Sequence, residues 1–165
     1  MIRSALMNVM TAAAMKAGRG LKRDFGEVEN LQVSVKGPGD FVTAADRRAE
    51  KTLFEELSRA RPGYCFLMEE SGAVEGADKS HVWHIDPLDG TSNFLHGIPI
   101  FAVSVALERD GQIVAGLVYN PASDDLYVAE KGQGAFHNNR RMRVAARRTL
   151  AESMVACGIP PLAGL

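Results

Sequence analysis

One stretch of this sequence does most to decide its fold: HIDPLDGTSNF, residues 84–94. The branched and aromatic residues at positions 82–85 are typical of a short buried strand, and Pro87 is expected to end it because proline has no amide hydrogen for a strand ladder. Asp86 and Asp89 are therefore predicted to lie at a strand end. Aspartate, proline and glycine are also common in turns, so the local pattern is equally typical of a simple turn.

The composition is that of an ordinary globular protein with one domain. The chain has 165 residues, of which 46% are hydrophobic and 24% are charged. Its formal net charge of -1 provides no general electrostatic reason to expect binding to nucleic acid or an anionic membrane. The two cysteines, Cys65 and Cys157, argue against a disulfide scaffold or a zinc site as the basis of the fold. We interpret one cluster of arginines as a solvated face: Arg140, Arg141, Arg143, Arg147 and Arg148.

The first 20 residues resemble a secretory signal superficially, with one early arginine and an apolar middle. Their apolar residues nevertheless recur at helical spacing, which predicts an amphipathic helix: Leu6, Val9, Met10, Ala13 and Ala14. No apolar stretch is long enough to span a bilayer, and we predict a cytoplasmic protein.

Helical and strand periods alternate along the rest of the chain. Gly18 and Gly20 are expected to end the first helix, residues 36–40 to form a loop, and Thr43 to cap a second helix over 44–60. On that second helix one apolar stripe is predicted, and charged residues such as Glu50 lie mostly elsewhere; the stripe consists of Ala45, Ala49, Leu53 and Leu57. Further predicted elements are strands at 64–68, 82–85, 101–109, 112–119 and 126–130, a hairpin turn at 110–111, and a short helix over 91–95 entered through Gly90.

Carboxylates follow two of the predicted strands. Glu69 and Glu70 come after one strand, as Asp86 and Asp89 come after another. If the two strands are neighbours in one sheet, these groups converge and repel each other, and a hard divalent cation with oxygen ligands relieves that repulsion. Mg²⁺ suits such a site, because two or three carboxylates and the carbonyl oxygen of Leu88 would suffice beside its waters.

An anion site is predicted next to this cation site. Residues 90–92 offer backbone amides at a helix start, where a phosphate oxygen can bind. A cation site beside an anion site predicts a bound phosphate ester and supplies the parts for its hydrolysis.

Three motifs in order resemble those of the inositol monophosphatases, within the lithium-sensitive, Mg²⁺-dependent phosphatase superfamily. Residues 86–94 match the family's Asp-Pro-x-Asp-Gly-Thr motif, residues 69–71 match its Glu-Glu-Ser, and residues 40–46 match its Asp-x-Val-Thr-x-x-Asp. The resemblance covers residues 1–159, and it is closest to the bacterial, extragenic suppressor type. It implies an α+β fold, a layered α/β sandwich to which this part contributes two long helices and a large antiparallel sheet.

The resemblance also implies roles for particular residues. The metal ligands would be Glu69, Asp86, Asp89 and the Leu88 carbonyl; Glu70 and Thr91 would activate the attacking water, with Asp46 behind Thr91; the amides of Gly90 and Thr91 would hold phosphate; and Lys36 and Asp40 would lie in a closing loop. Two or three Mg²⁺ ions per complete site are implied, with Li⁺ as an inhibitor. A homodimer is implied as well.

The chain departs from the family pattern in two ways. Met68 replaces a usual glycine, which changes the packing behind Glu69 and leaves that ligand in place. Residues 1–165 would form the amino-terminal portion of the family's domain, without the carboxyl-terminal portion that carries a further Asp ligand and most sugar-binding residues. We expect exposed apolar surface as a result.

The sequence therefore predicts an inositol-phosphate phosphatase: a Mg²⁺-dependent phosphomonoesterase that hydrolyses inositol monophosphate or a similar small polyol phosphate by direct attack of water. Two alternatives stay open. One is a regulatory protein that binds transcription or RNA-associated partners through the arginine cluster, and the other is an inactive fragment that retains a metal site.

Overall fold

Two long helices pack on one face of a single sheet. The computed structural model describes residues 4–31 and 38–156, without the side chains of 29–31 and 38–42. In chain order the elements are α1 (Ala5–Leu31), α2 (Pro38–Ala60), β1 (Tyr64–Met68), β2 (Gly72–Val74), β3 (Asp78–Asp89), α3 (Thr91–Leu95), β4 (Ala102–Arg109), β5 (Gln112–Asn120), β6 (Asp125–Glu130), β7 (Gly134–His137), β8 (Arg140–Arg141) and a 3₁₀ turn (Leu150–Glu152).

The sheet is antiparallel at every described pairing except one. Its described strands lie in the order β2-β1-β3-β4-β5-β6-β7-β8, and β1 runs parallel to β3. This arrangement confirms the predicted layered α+β fold and the hairpin at residues 110–111, where β4 meets β5. Within the residues described, no helix is long and apolar enough to cross a membrane.

The core lies between the helices and the sheet. Helix α2 contributes the stripe predicted from its sequence, Ala45, Ala49, Leu53 and Leu57. Strand alternation directs Trp83 and Ile85 of β3 toward the helices, and it does the same for Val103, Val105 and Leu107 of β4. The opposite face of the sheet carries apolar side chains that remain exposed, including Leu67 at 48% and Val118 at 42%. The expected exposed apolar surface is therefore present.

Several predicted boundaries are wrong. Helix α1 continues through Gly18 and Gly20 to Leu31. Gly18 permits close packing rather than ending the helix, because a Cβ there would lie 2.6 Å from the ring of Tyr119. Helix α2 begins at Pro38, so Pro38–Asp40 is helical rather than loop and Thr43 lies inside the helix rather than at its cap. Proline suits this start, because amides in the first turn of a helix have no hydrogen-bond acceptor within the helix and proline lacks only that amide hydrogen.

Strand β3 is much longer than predicted and passes through Pro87. The pairs Asp86↔Ser104 and Asp89↔Ala102 place one extra β3 residue between them, so Pro87 lies in a bulge. A bulge leaves a ladder position unused, and a proline is tolerated there. The short strands β2, β7 and β8 were not predicted, because strands of two to four residues have too little periodicity.

Candidate functional site

The carboxylates predicted to converge do lie at one end of the sheet. Strands β1 and β3 are parallel neighbours with Met68 opposite Ile85, and the Glu69 amide donates to the Ile85 carbonyl at 3.1 Å. Because the two strands run in parallel, Glu69, which follows the end of β1, lies beside Asp86 of β3. Asp86 is inside β3, opposite Ser104, rather than at the strand end predicted for it, and Asp89 is the last residue of that strand. The predicted convergence depended on the two strands being neighbours in one sheet, and they are.

Asp86 is held in place by its own turn and crowded by its neighbours. Its Oδ1 accepts the Leu88 amide at 3.1 Å, which fixes the carboxylate against the bulge. Burial, followed by the adjoining Glu69 carboxylate and the charge of Asp89, raises the pKa of Asp86 to about 7. Burial is the largest cause of this shift, and a bound cation would offset the part that comes from the neighbouring carboxylates.

Asp46 approaches the same edge from helix α2. Its side chain is buried, and its Oδ1 has no hydrogen-bond partner among the residues that the structure describes. Burial is the largest cause that raises the pKa of Asp46 to about 7, and the charges of Glu70, Glu69 and Asp86 add to it. An unpartnered buried oxygen is costly, which indicates that this position needs a partner beyond the side chains described.

Gly90 and helix α3 follow the bulge. Gly90 has φ 89° and precedes a helix of a single turn, as predicted from the sequence. The Thr91 hydroxyl donates to the Leu88 carbonyl at 2.9 Å, rather than to Asp46. A carbonyl oxygen has two lone pairs, so Leu88 retains one for a cation. The role of Asp46 as a partner behind Thr91 stays a prediction.

Glu69, Glu70 and Ser71 form the tip of the β1–β2 hairpin, between the pair Met68↔Gly72. Glu70 lies 3.7 Å from the guanidinium of Arg47, an exposed contact of little energetic weight. The tip is also tied to helix α2 by Glu50, which accepts the Glu70 amide at 2.9 Å.

Sequence reasoning missed Glu50. Its charge suggested an outward position, away from the apolar stripe of α2, and the structure shows it buried. The available signal was its spacing: Glu50 comes one turn after Asp46, and both border the buried alanines of that helix.

The donor set fits a hard cation in chemistry, although it forms no closed shell. Among the described residues, no group of three His, Cys, Asp or Glu side chains converges tightly enough to hold a metal. Mg²⁺ needs less than that, because one or two carboxylates with waters and substrate oxygens commonly hold it. Glu69, Asp86 and Ser104 line an open groove of about 400 Å³ where such ligands could enter. Lys36 and the side chain of Asp40 lie outside the described residues.

Each of the four histidines has a hydrogen-bond partner. His84 pairs with Glu108 at 2.9 Å, His137 pairs with Asp125 at 2.7 Å, and His81 pairs with Asp78 at 2.8 Å. The fourth, His96, bonds the Ser92 carbonyl. Trp83, Phe94 and Cys65 are buried and belong to the core.

Comparison with known proteins identifies the family of this chain. The family model described as "Inositol monophosphatase family" matches residues 3–161. A protein of Mesorhizobium japonicum named "Inositol-1-monophosphatase" is 68% identical over 98% of this chain and 61% of its own length. A Vibrio cholerae protein named "Nus factor SuhB" is 39% identical over 94% of this chain and 58% of its own.

The solved structures agree as well. The crystal structure of extragenic suppressor protein suhB from Bartonella henselae is 66% identical and superimposes with a TM-score of 0.79, covering 88% of this chain and 56% of that one. The chain spans about three fifths of the length of the curated relatives it matches, at 61% for the first of them. With matched motifs, fold and sequence in agreement, the chain belongs to the inositol monophosphatase family.

Proposed function

We propose that the chain forms the metal-binding part of a Mg²⁺-dependent phosphomonoesterase that hydrolyses inositol monophosphate or a similar small polyol phosphate. One observation carries the proposal: the parallel pairing of β1 with β3 sets Glu69 beside Asp86. The relatives named "Inositol-1-monophosphatase" support the reaction and the substrate class.

The cation would be held by Glu69, Asp86, Asp89 and the Leu88 carbonyl. Asp46, with its unpartnered buried oxygen, adds negative charge behind them. When bound, divalent cations lower the pKa of water and offset the charge that develops on a phosphate. Two or three ions per complete site, and inhibition by Li⁺, are part of this proposal.

The remaining roles belong to the two loops that follow β1 and β3. Glu70, at the exposed hairpin tip, would accept the proton of the attacking water, and Thr91 would orient that water. The amides of Gly90 and Thr91 would hold the phosphate. Helix α3 is only five residues long, so these two amides, rather than a helix dipole, would supply most of the attraction. We assign no Ser or Cys as nucleophile, and no covalent phospho-enzyme would form.

The first experiment measures phosphate release from inositol 1-phosphate with and without Mg²⁺, together with Mg²⁺ titration calorimetry. Asp89→Asn should weaken Mg²⁺ binding and lower turnover by orders of magnitude, whereas Glu75→Gln, a change at an exposed acidic residue of the β2–β3 connection, should do neither. Wild-type Mg²⁺ binding and turnover in Asp89→Asn would contradict the metal assignment. Mg²⁺ binding without turnover would favour the inactive fragment.

A second candidate is a regulatory role, favoured by the relatives named "Nus factor SuhB" and by the exposure of the arginine cluster. Neutralising Arg140, Arg141 and Arg143 should then abolish binding to a transcription or RNA-associated partner and leave hydrolysis unchanged. Equal partner binding by the variant would exclude the arginines from this role. The homodimer and the cytoplasmic location stay predictions, and sedimentation equilibrium tests the first.

A further inference from the structure

We infer that Glu50 is a positioning residue that fixes the Glu69–Glu70–Ser71 hairpin tip against helix α2 and so sets the placement of the two carboxylates. This inference deepens the proposed function and rests on it for the role of those carboxylates.

The geometry is that of a clamp with three donors. Glu50 Oε2 accepts the Glu70 amide at 2.9 Å and the Ser71 amide at 3.3 Å. Glu50 Oε1 accepts the Ser71 hydroxyl in a short hydrogen bond. The side chain is 3% exposed, so these bonds replace the water that a carboxylate would otherwise hold.

The tip has little other support. The Glu69 amide makes the last ladder bond to β3, and the next two amides, of Glu70 and Ser71, bond to Glu50 instead of a strand. Strand β2 is an edge strand of three residues, and Gly72 after the tip has φ 74°. Short edge hairpins are marginal by themselves, so an anchor from the helix determines where the tip lies.

A buried carboxylate is an expensive anchor if stability is its only purpose, because apolar side chains of similar volume are often as stabilising. Glu50 directs both of its carboxylate oxygens to the three-residue segment that carries Glu69 and Glu70. Because Glu50 lies one turn after Asp46, it joins the hairpin tip to the helix that supplies Asp46 to the site.

The test compares Glu50→Gln, Glu50→Ala and the matched control Glu55→Ala, a change at an exposed residue on the same helix. Glutamine can accept both amides with its carbonyl oxygen and donate to the Ser71 hydroxyl, so it can keep all three bonds without the charge. Two readouts are measured on the full chain: hydrogen exchange at the amides of Glu70 and Ser71 without metal, and Mg²⁺ affinity by calorimetry.

We expect Glu50→Ala to expose both amides to exchange and to weaken Mg²⁺ binding at least about tenfold, as loss of a group that supports metal ligands does. Glu50→Gln should retain amide protection and an affinity within about threefold of the wild type, because the same bonds can form. Glu55→Ala should match the wild type. If Glu50→Ala does not fold, Ser71→Ala removes one bond and should increase Ser71 amide exchange and weaken Mg²⁺ binding several-fold.

The inference is overturned if Glu50→Ala only lowers the unfolding midpoint while amide protection and Mg²⁺ affinity stay at wild-type values. Loss of Mg²⁺ affinity in Glu50→Gln with intact amide protection would also overturn it, since charge rather than position would then be the cause. If the wild type binds no Mg²⁺, the proposed function fails, and amide exchange by itself decides whether Glu50 holds the tip.

Discussion

Replacing Gly90 with alanine tests how tightly the loop after β3 is built. Gly90 has φ 89°, a region in which alanine is strained, and a Cβ at this position would lie 2.9 Å from the Ile100 carbonyl oxygen and 3.2 Å from the Phe101 Cα. Phe101 cannot move aside easily, because it is buried and the centroid of its ring lies 4.9 Å from the ring centroids of Phe25 and Phe94.

Gly97, at the other end of α3, provides a matched control. It has φ 70°, and a Cβ at this position would have no atom of any described residue beyond its chain neighbours within 4 Å. In Gly97→Ala the left-handed backbone conformation of alanine should therefore lower the free energy of unfolding by about 1–2 kcal/mol. The reduced conformational entropy of the unfolded chain should offset about 0.4–1 kcal/mol of this loss. Gly90→Ala carries the same terms with about 1–3 kcal/mol of overpacking added, so we expect a total loss of about 1–5 kcal/mol, larger than that of Gly97→Ala by the overpacking term.

Urea unfolding measures both free energies, and the fluorescence of Trp83, the single tryptophan of the chain, reports the transition because this side chain is fully buried. The difference between the two variants isolates the close approach of the Ile100 carbonyl. Equal losses in Gly90→Ala and Gly97→Ala would refute the tight packing of this loop.

Three further predictions follow from the same structure. The pKa of Asp46 is raised from 3.8 to about 7, so its contribution to the stability of the metal-free chain is fully present below pH 3.8 and is lost as the pH rises through 7. In urea unfolding between pH 5 and 8, Asp46→Asn should therefore lose less stability with rising pH than the wild type. An unchanged pH dependence would contradict the burial of that carboxyl. Burial and the hydrogen bond to Asp124 raise the pKa of Tyr119 to about 12, so an ultraviolet titration should show one tyrosine that ionises at higher pH than the others. In Asp124→Asn that ionisation should shift to lower pH. Simultaneous ionisation of all the tyrosines would be the contrary result. Phe94→Ala should cost about 3–5 kcal/mol in unfolding free energy, because the ring is fully buried between Phe25 and Phe101, and a loss below about 1 kcal/mol would show that the aromatic cluster is loose.

Local patterns predicted the elements with strong periodicity. The apolar stripe of α2 and the alternation of β4 and β5 each span enough residues to define one face, and the structure confirms them. The errors lie where a tertiary contact overrides a local preference. Gly18 looks like a helix end in the sequence, but the ring of Tyr119 requires a small residue at that place in the helix.

The candidate site divides in the same way. The sequence by itself determined which carboxylates lie next to each apolar run, because Asp86 and Glu69 are adjacent to residues typical of buried strands. Only the tertiary structure decided that β1 and β3 are parallel neighbours, since pairing between strands that are not consecutive in the chain depends on the packing of the whole sheet. It also decided that Glu50 is buried, because a charged side chain is buried only where the fold supplies its hydrogen-bond donors, and those donors come from a distant hairpin.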